Sequence, residues 1–292
     1  MKKVFPPSEL IINQDGSIFH LHVKPEYLAN KVILVGDPER VDLVASHFTN
    51  IECDIHNREF HTITGWYQGK HITCISTGIG CDNIDIVMNE IDALANIDFQ
   101  TREEKEELRS LEIVRIGTSG GLQPYTPVGS FVCAAKSIGF DGVLNFYQGR
   151  NEVCDLQMEQ AFKNHMGWQG NTCAPALYIL DCDSEMLERI AADDMVRGIT
   201  IAGNGFYGPQ GRKLRLPLAD PQQNDKIGKF EYQGLHITNY EMESSALSGL
   251  SRLMGHKATT VCMIVANRLI KEVNISYKNT IDTLITAVLD RI

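Results

Sequence analysis

The chain of 292 residues carries a formal net charge of −10, and 43% of its residues are hydrophobic, a proportion typical of a globular protein. This length allows one large α/β domain or two small ones. The negative charge argues against a general nucleic-acid binder, because no bulk positive field attracts phosphate backbones, but a small anion can still be held by local arginines.

The eight cysteines are scattered along the chain and form no CxxC pair. Most lie in or beside apolar runs, as Cys74 and Cys262 do, which predicts reduced core thiols rather than disulfides or a zinc site. A lysine pair near the start is not followed by a long apolar stretch, so we expect neither a signal peptide nor a transmembrane helix. We therefore expect a cytoplasmic protein with no membrane partner.

Apolar runs that predict strands alternate with segments of helical periodicity. The predicted strands, some of which run into glycine turns, are 31–37, 71–80, 113–121, 130–135, 200–206 and 258–268. The first predicted helix has Asp37 as its N-cap and Pro38 in its first turn. Further helices are predicted at 82–96, 241–254 and 279–292. This alternation predicts an α/β fold with a mixed, largely central sheet.

Two stretches break the pattern. The charged run 101–110 is expected to be a solvated helix extension or loop, and the polar segment 217–233 a surface excursion. No repeat, low-complexity tract or interdomain linker stands out, so a single domain over 1–292 is the simpler interpretation.

Three predicted strands end in glycine turns, VGDPER, STGIG and RIGTSGG. Ligands of open α/β sheets bind beyond the carboxyl ends of strands, where such turns converge. The polar and glycine residues of the first and third turns are Gly36, Arg40, Arg115, Gly117, Thr118 and Ser119. Arginines, hydroxyls and glycine amides suit a tetrahedral oxyanion such as phosphate. Tight strand–helix packing explains any one turn equally well, but the three together favour an anion site.

Two further segments carry candidate binding residues. Glu241 and Glu243 lie at the predicted start of a helix, where capping alone explains Glu241, whereas Glu243 can accept two hydrogen bonds from a sugar diol. The loop FYGPQGRK (206–213) places Gln210 and Arg212 beside the aromatic Phe206. Considered alone, this loop is equally compatible with a solvated turn.

The motifs GDPER, STGIG, RIGTSGG, FYGPQGR, EMES and a strand-end NR together resemble the nucleoside phosphorylase family, in the family's order and over nearly the whole chain. The resemblance implies a three-layer α/β/α sandwich with a twisted mixed central sheet. It also implies reversible phosphorolysis of uridine to uracil and ribose 1-phosphate, a reaction of pyrimidine salvage. Inorganic phosphate is then a co-substrate, and the chemistry requires no metal and no organic cofactor. A monovalent cation near Glu59 is left open, because CDNID after STGIG departs from the family's usual small-residue turn.

The resemblance further assigns roles to individual residues. The phosphate ligands would be Gly36, Arg40, Arg115 and Thr118, with Arg58 supplied by a neighbouring subunit. The ribose ligands would be Met242 and Glu243, with His20 also crossing from the neighbour. The base ligands would be Phe206, Gln210, Arg212 and Ser119. The expected catalytic residues are Arg115, Glu243, Arg212 and His20. Active sites shared in this way imply a homodimer or a homohexamer.

Several alternatives stay open. Purine-cleaving relatives typically have an aspartate after the last strand, where this chain has Asn267 and Arg268, which favours a pyrimidine substrate. Nucleosidases use water instead of phosphate and have less need of several arginines. The CDNID turn, the shifted proline in FYGPQGR and the long charged run 101–110 depart from the family's pattern, and they keep thymidine, deoxyuridine and a modified pyrimidine nucleoside as candidate substrates beside uridine. A nucleoside-sensing protein without turnover is the non-enzymatic alternative.

Overall fold

The computed structural model describes residues 4–267, 269–274 and 276–292. The strands are β1 (Lys31–Val35), β2 (Thr49–Asn57), β3 (Phe60–Tyr67), β4 (Lys70–Ser76), β5 (Ile97–Asp98), β6 (Glu103–Glu104), β7 (Glu112–Gly121), β8 (Phe131–Gly139), β9 (Tyr178–Asp181), β10 (Val196–Ala202), β11 (Glu231–Tyr232), β12 (Leu235–Glu241), β13 (Lys257–Asn267) and β14 (Glu272–Val273). The helices are α1 (Pro38–Ala45), α2 (Cys81–Asn96), α3 (Arg150–Val153), α4 (Leu156–Met166), α5 (Ser184–Ala191), α6 (Gln223–Lys229), α7 (Ser244–Met254) and α8 (Lys278–Arg291). No helix among these residues is long and apolar enough to cross a membrane.

The central strands are buried on both faces, as their continuous aliphatic runs predict. In β1, Val32 and Leu34 belong to a core cluster that includes side chains of α2 and α7. Their neighbours Ile33 and Val35 belong to a second cluster, with side chains of α1, α5 and α8. Because alternate residues of a strand point to opposite faces, helices cover both sides of the sheet. The predicted three-layer α/β/α sandwich is confirmed.

The large sheet is mixed, and its strand order is β11-β12-β10-β8-β13-β7-β1-β4-β3-β2. β1 lies parallel to both of its neighbours, β4 and β7, whereas β2 and β3 form an antiparallel hairpin at one edge. β12 also pairs with β7, through Asn239 with Gly121 and Tyr240 with Gly120. This extra pairing closes β7, β13, β8, β10 and β12 into a ring and brings the ends of β7 and β12 together.

The β1–α1 unit was predicted correctly from the sequence. The Asp37 carboxylate accepts from the Glu39 amide at 3.0 Å as the N-cap of α1. The strand predicted over 113–121 is confirmed as β7, but the prediction that it ends in a glycine turn was wrong, because Gly117 to Gly121 all belong to the strand. These glycines stay in the strand because β13 pairs with β7 along its length and β12 pairs with its last two residues. A Cβ at Gly117 would overlap the Arg115 guanidinium, so here glycine allows a side chain to cross the strand.

Other boundaries also differ from those predicted. The helix expected from 241 begins at Ser244, and Glu241 ends β12. The strand expected to reach 206 ends at Ala202, and the stretch 217–233 contains α6 and the short β11. The charged run 101–110 contains β6, which pairs with β5 in a short hairpin. All eight cysteines are free thiols, of which Cys154 is half-buried, Cys173 is exposed and the rest are buried.

Candidate active site

A cavity of about 790 Å³ opens where the ends of β1, β4, β10, β12 and β13 converge on the last part of β7. It brings together predicted site residues from four separate segments, namely Gly36, Arg40, Arg115, Thr118, Ser119, Phe206, Gln210, Arg212, Met242 and Glu243. The sequence analysis missed other lining residues, including Ile79, Tyr240, Val273, Asn274 and Tyr277. Ile79 and Tyr240 lie within or beside the STGIG and EMES motifs but are apolar or aromatic and were passed over, whereas Val273, Asn274 and Tyr277 lie in a segment where no motif was found.

The positive end of the cavity is formed by two buried arginines. Arg40 is only 7% exposed and Arg115 only 4%. Arg40 Nη1 donates to the Ile116 carbonyl at 3.2 Å, and among the described residues no carboxylate forms an ion pair with Arg40. Burial lowers the pKa of Arg40, and the positive charge of Arg115 lowers it further. Arg40 is thus a buried cation without an ion-paired carboxylate among the described residues, and an anion such as phosphate matches the fork-shaped donors of the two arginines.

Arg115 joins this positive end to two buried carboxylates. Its Nη2 pairs with Glu243 Oε2, and its Nη1 lies 3.4 Å from Glu241 Oε2. Burial by itself lowers the pKa of Arg115, but the charges of Glu243 and Glu241 outweigh burial and raise it. The Nε atom of Arg115 is buried and has no acceptor among the described residues. Arg115 is therefore a permanent cation with a donor still available.

The two carboxylates have different local functions, as the sequence suggested. Glu241 accepts from the backbone amides of Glu243 and Ser244, at 2.9 and 3.0 Å, and from the Ser244 hydroxyl at 2.6 Å. Glu241 therefore caps α7. Burial raises its pKa to about 7, opposed by the charge of Arg115 and assisted by that of Glu243.

Glu243 is positioned by the second glycine turn, a function that the sequence did not indicate. Its Oε1 accepts from the Gly80 amide at 2.7 Å. Gly80 has φ of 104°, which favours glycine and turns its amide toward the carboxylate at the start of α2. The STGIG turn thus holds a carboxylate through the Gly80 amide, while Gly78 and Ile79 of the same turn line the cavity. A part for this turn in binding a phosphate anion stays a prediction.

A buried hydrogen-bonded network supports the Met242 backbone. The Cys81 thiol donates to the Met242 carbonyl at 3.2 Å. Behind it, the Ser245 hydroxyl donates to Asp141 Oδ2 at 2.8 Å, and the Tyr178 hydroxyl donates to Asp141 Oδ1 at 2.8 Å. These contacts link α2, α7 and β9, and they fix the segment that carries both Met242 and Glu243.

The loop that follows β10 closes the other end of the cavity. Arg212 Nη1 donates to Gln210 Oε1 at 2.5 Å and to the Phe206 carbonyl at 2.6 Å. The guanidinium carbon lies 3.7 Å from the centre of the Phe206 ring, a cation–π contact. Gln210 is only 2% exposed, whereas Phe206 is half exposed. The predicted trio therefore forms one preassembled unit with a flat aromatic face and adjacent polar groups.

Two predicted site residues, His20 and Arg58, do not line the cavity of this chain. They lie near each other, since the Arg58 guanidinium stands 5.5 Å from the centre of the Phe19 ring and the Asn57 side chain donates to the His20 carbonyl at 2.7 Å. His20 Nδ1 lies 2.6 Å from Glu90 Oε1, which orients the ring. Arg58 is exposed and has φ of 56°, an uncommon conformation for a side chain of this size.

Asn267 occupies the position where purine-cleaving relatives typically have an aspartate, and its side chain hydrogen-bonds to the backbone of the scaffold. It is fully buried, and its Nδ2 donates to the carbonyls of Gln123 and Thr126 at 2.9 and 2.8 Å. Its Oδ1 accepts from the Leu269 amide at 3.0 Å. Arg268 lies outside the described residues. Both Nδ2 hydrogens of Asn267 are therefore used within the scaffold, and Asn267 is not among the residues that line the cavity.

The chain is similar in sequence and in structure to known nucleoside phosphorylases. A sequence model of the phosphorylase superfamily matches residues 30–289. A uridine phosphorylase of Thermococcus kodakarensis is 28% identical over 282 residues, which cover 93% of this chain and 85% of that protein. The crystal structure of a Trypanosoma brucei nucleoside phosphorylase that shows uridine phosphorylase activity superposes on this chain with a TM-score of 0.87 at 27% identity, and the match covers 97% of this chain and 98% of that one. A DeoD-type purine nucleoside phosphorylase of Bacillus subtilis is 26% identical over 248 residues, 84% of this chain and 85% of that protein.

Proposed function

Because the chain belongs to the phosphorylase superfamily, we propose that it catalyses the reversible phosphorolysis of uridine, giving uracil and ribose 1-phosphate. The observation that carries this proposal is that one cavity is lined by the cations Arg40 and Arg115, by Glu243 and by the unit of Phe206, Gln210 and Arg212. Its volume of about 790 Å³ lies in the range of small-molecule sites.

Phosphate is proposed to bind between Arg40 and Arg115, with Thr118 and the Gly36 backbone beside it. Cleaving the N-glycosidic bond builds positive charge on the ribose, and a phosphate held against that face both stabilises the charge and acts as the nucleophile. Holding the two reactants in one orientation supplies much of the rate by itself. This proposal requires no metal and no organic cofactor.

The ribose is proposed to lie over Met242, with its 2′- and 3′-hydroxyls donating to Glu243. The Gly80 amide fixes one carboxylate oxygen of Glu243 before substrate arrives, so that little reorganisation is needed on binding. A carboxylate oxygen has room for more than one hydrogen bond.

The uracil ring is proposed to stack on Phe206 while Gln210 and Arg212 bind its polar edge. Uracil leaves with negative charge spread over its carbonyl oxygens, and the fixed guanidinium of Arg212 stabilises that charge as an oxyanion site does. The donor from Arg212 leaves the second lone pair of Gln210 Oε1 available for the N–H of the base. Ser119 completes the proposed base site.

A complete active site is proposed to need a second subunit, in a homodimer or a homohexamer. His20 and Arg58 are near each other and outside their own chain's cavity, an arrangement that suits residues contributed to a neighbouring cavity. Arg58 would then add a third cation to the phosphate site and His20 a partner for the ribose 5′-hydroxyl. A cytoplasmic location remains part of the same proposal.

A purine substrate is the second candidate, because a purine nucleoside phosphorylase also matches this chain, at 26% identity over 84% of its length. Against it, Asn267 is fully hydrogen-bonded to the scaffold and can deliver no proton to a purine ring.

Product release by the purified protein tests the proposal. Uridine, inosine and methylthioadenosine are each incubated with and without inorganic phosphate, and free base is measured by chromatography. We expect free base to be released only from uridine, and only when phosphate is present. Release from inosine would overturn the assignment of the base site and leave the phosphate site standing. Release without phosphate would indicate a hydrolase, and binding of nucleoside in calorimetry without any release would indicate a sensing protein.

A further inference from the structure

A second cluster of chemically competent side chains lies on the β2–β3 hairpin, outside the cavity. Asp54 and His56 are two residues apart on β2, so their side chains point to the same face of the strand. His61 is the direct cross-strand partner of His56 on β3. We propose that Asp54, His56 and His61 form a binding site for a divalent transition metal ion of the zinc type.

The distances between the donor atoms fit such an ion. Asp54 Oδ1 lies 2.9 Å from His61 Nε2 and 3.5 Å from His56 Nε2, and the three donors all lie within 4.8 Å of one another. Zinc bonds to nitrogen and oxygen at about 2.0–2.2 Å, which puts neighbouring donors of a tetrahedral site about 3.3 Å apart. Two imidazole nitrogens and one carboxylate oxygen also suit zinc, copper and nickel rather than magnesium or calcium.

The hydrogen bonding of His61 supplies an independent argument. This ring is only 1% exposed, and both of its nitrogens face acceptors: Nε2 faces Asp54 Oδ1, and Nδ1 faces the Pro38 carbonyl at 3.4 Å. A neutral imidazole can donate from only one nitrogen, so one acceptor is left facing a lone pair unless the ring is a buried cation. A metal ion between His61 Nε2 and Asp54 removes this conflict, because Nδ1–H then donates to Pro38.

That arrangement is the usual environment of a metal-binding histidine, in which the second ring nitrogen donates to a carbonyl or carboxylate and fixes the tautomer. Besides the Pro38 carbonyl, Asp42 Oδ1 of α1 lies 3.9 Å from His61 Nδ1. Both second partners are therefore in place before the ion arrives.

His56 is the ligand that has to move. Its ring now stacks on that of His61, with centroids 3.5 Å apart and planes 22° apart, whereas a metal ion binds in the plane of each imidazole. The His56 side chain is 65% exposed, and β2 is the last strand at its edge of the sheet, so rotation toward a shared ion meets little obstruction. The fourth position is open to water, as in sites with three protein ligands.

The site would connect to the substrate cavity through one residue. Pro38 lines that cavity at the start of α1, and its carbonyl is the group that His61 Nδ1 faces. A bound ion would therefore brace the hairpin that carries Arg58 against the helix that carries Arg40. Metal binding itself can be measured without reference to the proposed reaction.

The test is a calorimetric titration of the full-length, metal-free protein, without a histidine tag and in phosphate-free buffer, with Zn²⁺. Wild type is expected to bind one Zn²⁺ per chain, with Mg²⁺ giving no heat. His56→Ala and Asp54→Asn should each weaken Zn²⁺ binding by roughly tenfold or more. Both positions are more than half exposed, so neither change should prevent folding, which unchanged metal-free melting temperatures would verify.

His71→Ala is the matched control. His71 Nε2 lies 2.9 Å from Glu52 Oε2 and its ring stacks on Trp66, so it is a histidine–carboxylate pair on the same part of the sheet without a second histidine ligand. Its loss should leave Zn²⁺ affinity unchanged. The proposal is overturned if wild type binds no Zn²⁺, if His56→Ala and Asp54→Asn bind it as wild type does, or if His71→Ala weakens binding equally.

Discussion

Replacing Glu243 by glutamine tests the centre of the proposed active site. Both carboxylate oxygens of Glu243 face donors, the Gly80 amide on one side and Arg115 on the other. A glutamine must turn its NH₂ group toward one of these donors, whichever way the amide is flipped. We therefore expect Glu243→Gln to lower the folding stability and, separately, to weaken the binding of the ribose.

The size of each effect follows from these contacts. Leaving one buried donor without an acceptor costs about 1–3 kcal/mol of folding stability. Glu241 lies 3.4 Å from Arg115 and still compensates its charge, so a larger loss is not expected. In catalysis, losing one hydrogen bond to a charged acceptor costs about 1.5–3 kcal/mol, or roughly 10- to 150-fold in kcat/KM.

The assay compares uridine with 2′,3′-dideoxyuridine in wild type and variant. If Glu243 accepts from the two ribose hydroxyls, wild type should strongly prefer uridine, and Glu243→Gln should reduce that preference because the dideoxy substrate never made the contact. Denaturant unfolding measures the stability loss separately. An unchanged preference for uridine in the variant would refute the assignment of Glu243 to the ribose, whatever happened to its stability.

Three further predictions address other parts of the site. Arg212→Ala should cut uridine turnover strongly with little change in melting temperature, because its hydrogen bonds to Gln210 and the Phe206 carbonyl and its cation–π contact with Phe206 join residues of one loop; unchanged kinetics would remove it from the base site. Arg58→Ala should weaken phosphate use, and mixed oligomers with Arg40→Ala subunits should regain activity; no recovery would argue against shared sites. Since burial raises the pKa of Glu241 from 4.5 to about 7, the folded protein holds this proton more tightly than the unfolded chain. The stability contributed by Glu241 is present below about pH 4.5 and lost by about pH 7, and Glu241→Gln should flatten that part of the stability–pH curve measured by urea unfolding.

Local signals made the β1–α1 unit predictable. An aliphatic run, an N-capping Asp37 and Pro38 in the first turn all act within a few residues, and Arg40 lies where the resulting turn places it. The same applies in part to Phe206, Gln210 and Arg212, which contact one another within seven residues. The loop is also held from a distance, since the Asn224 side chain of α6 donates to the Gln210 carbonyl at 3.2 Å.

The features that were predicted wrongly or missed depend on contacts between residues that are far apart in the sequence. Gly117 resembles a turn glycine, but β13 and β12 pair with this part of the chain and keep it extended. The contact between Gly80 and Glu243 joins residues separated by 163 positions, so no local pattern could indicate it. The histidine cluster was hidden for a similar reason, because the β2–β3 hairpin that makes His56 and His61 neighbours was not predicted as strands.

The charges of the cavity also predict that phosphate and ribose binding are linked. Arg115 is the shared element, since its guanidinium pairs with Glu243 while its positive charge acts on Arg40. A phosphate bound beside Arg115 supplies negative charge that competes with Glu243 for the same guanidinium, and the carboxylate is then freer to accept from the ribose hydroxyls. Phosphate should therefore tighten the binding of a C-nucleoside such as pseudouridine, whose carbon–carbon glycosidic bond is not cleaved, in a calorimetric titration at equilibrium. Because such linkage is reciprocal, nucleoside should tighten phosphate binding by the same factor, and equal affinities with and without phosphate would mean that Arg115 does not couple the two ligands.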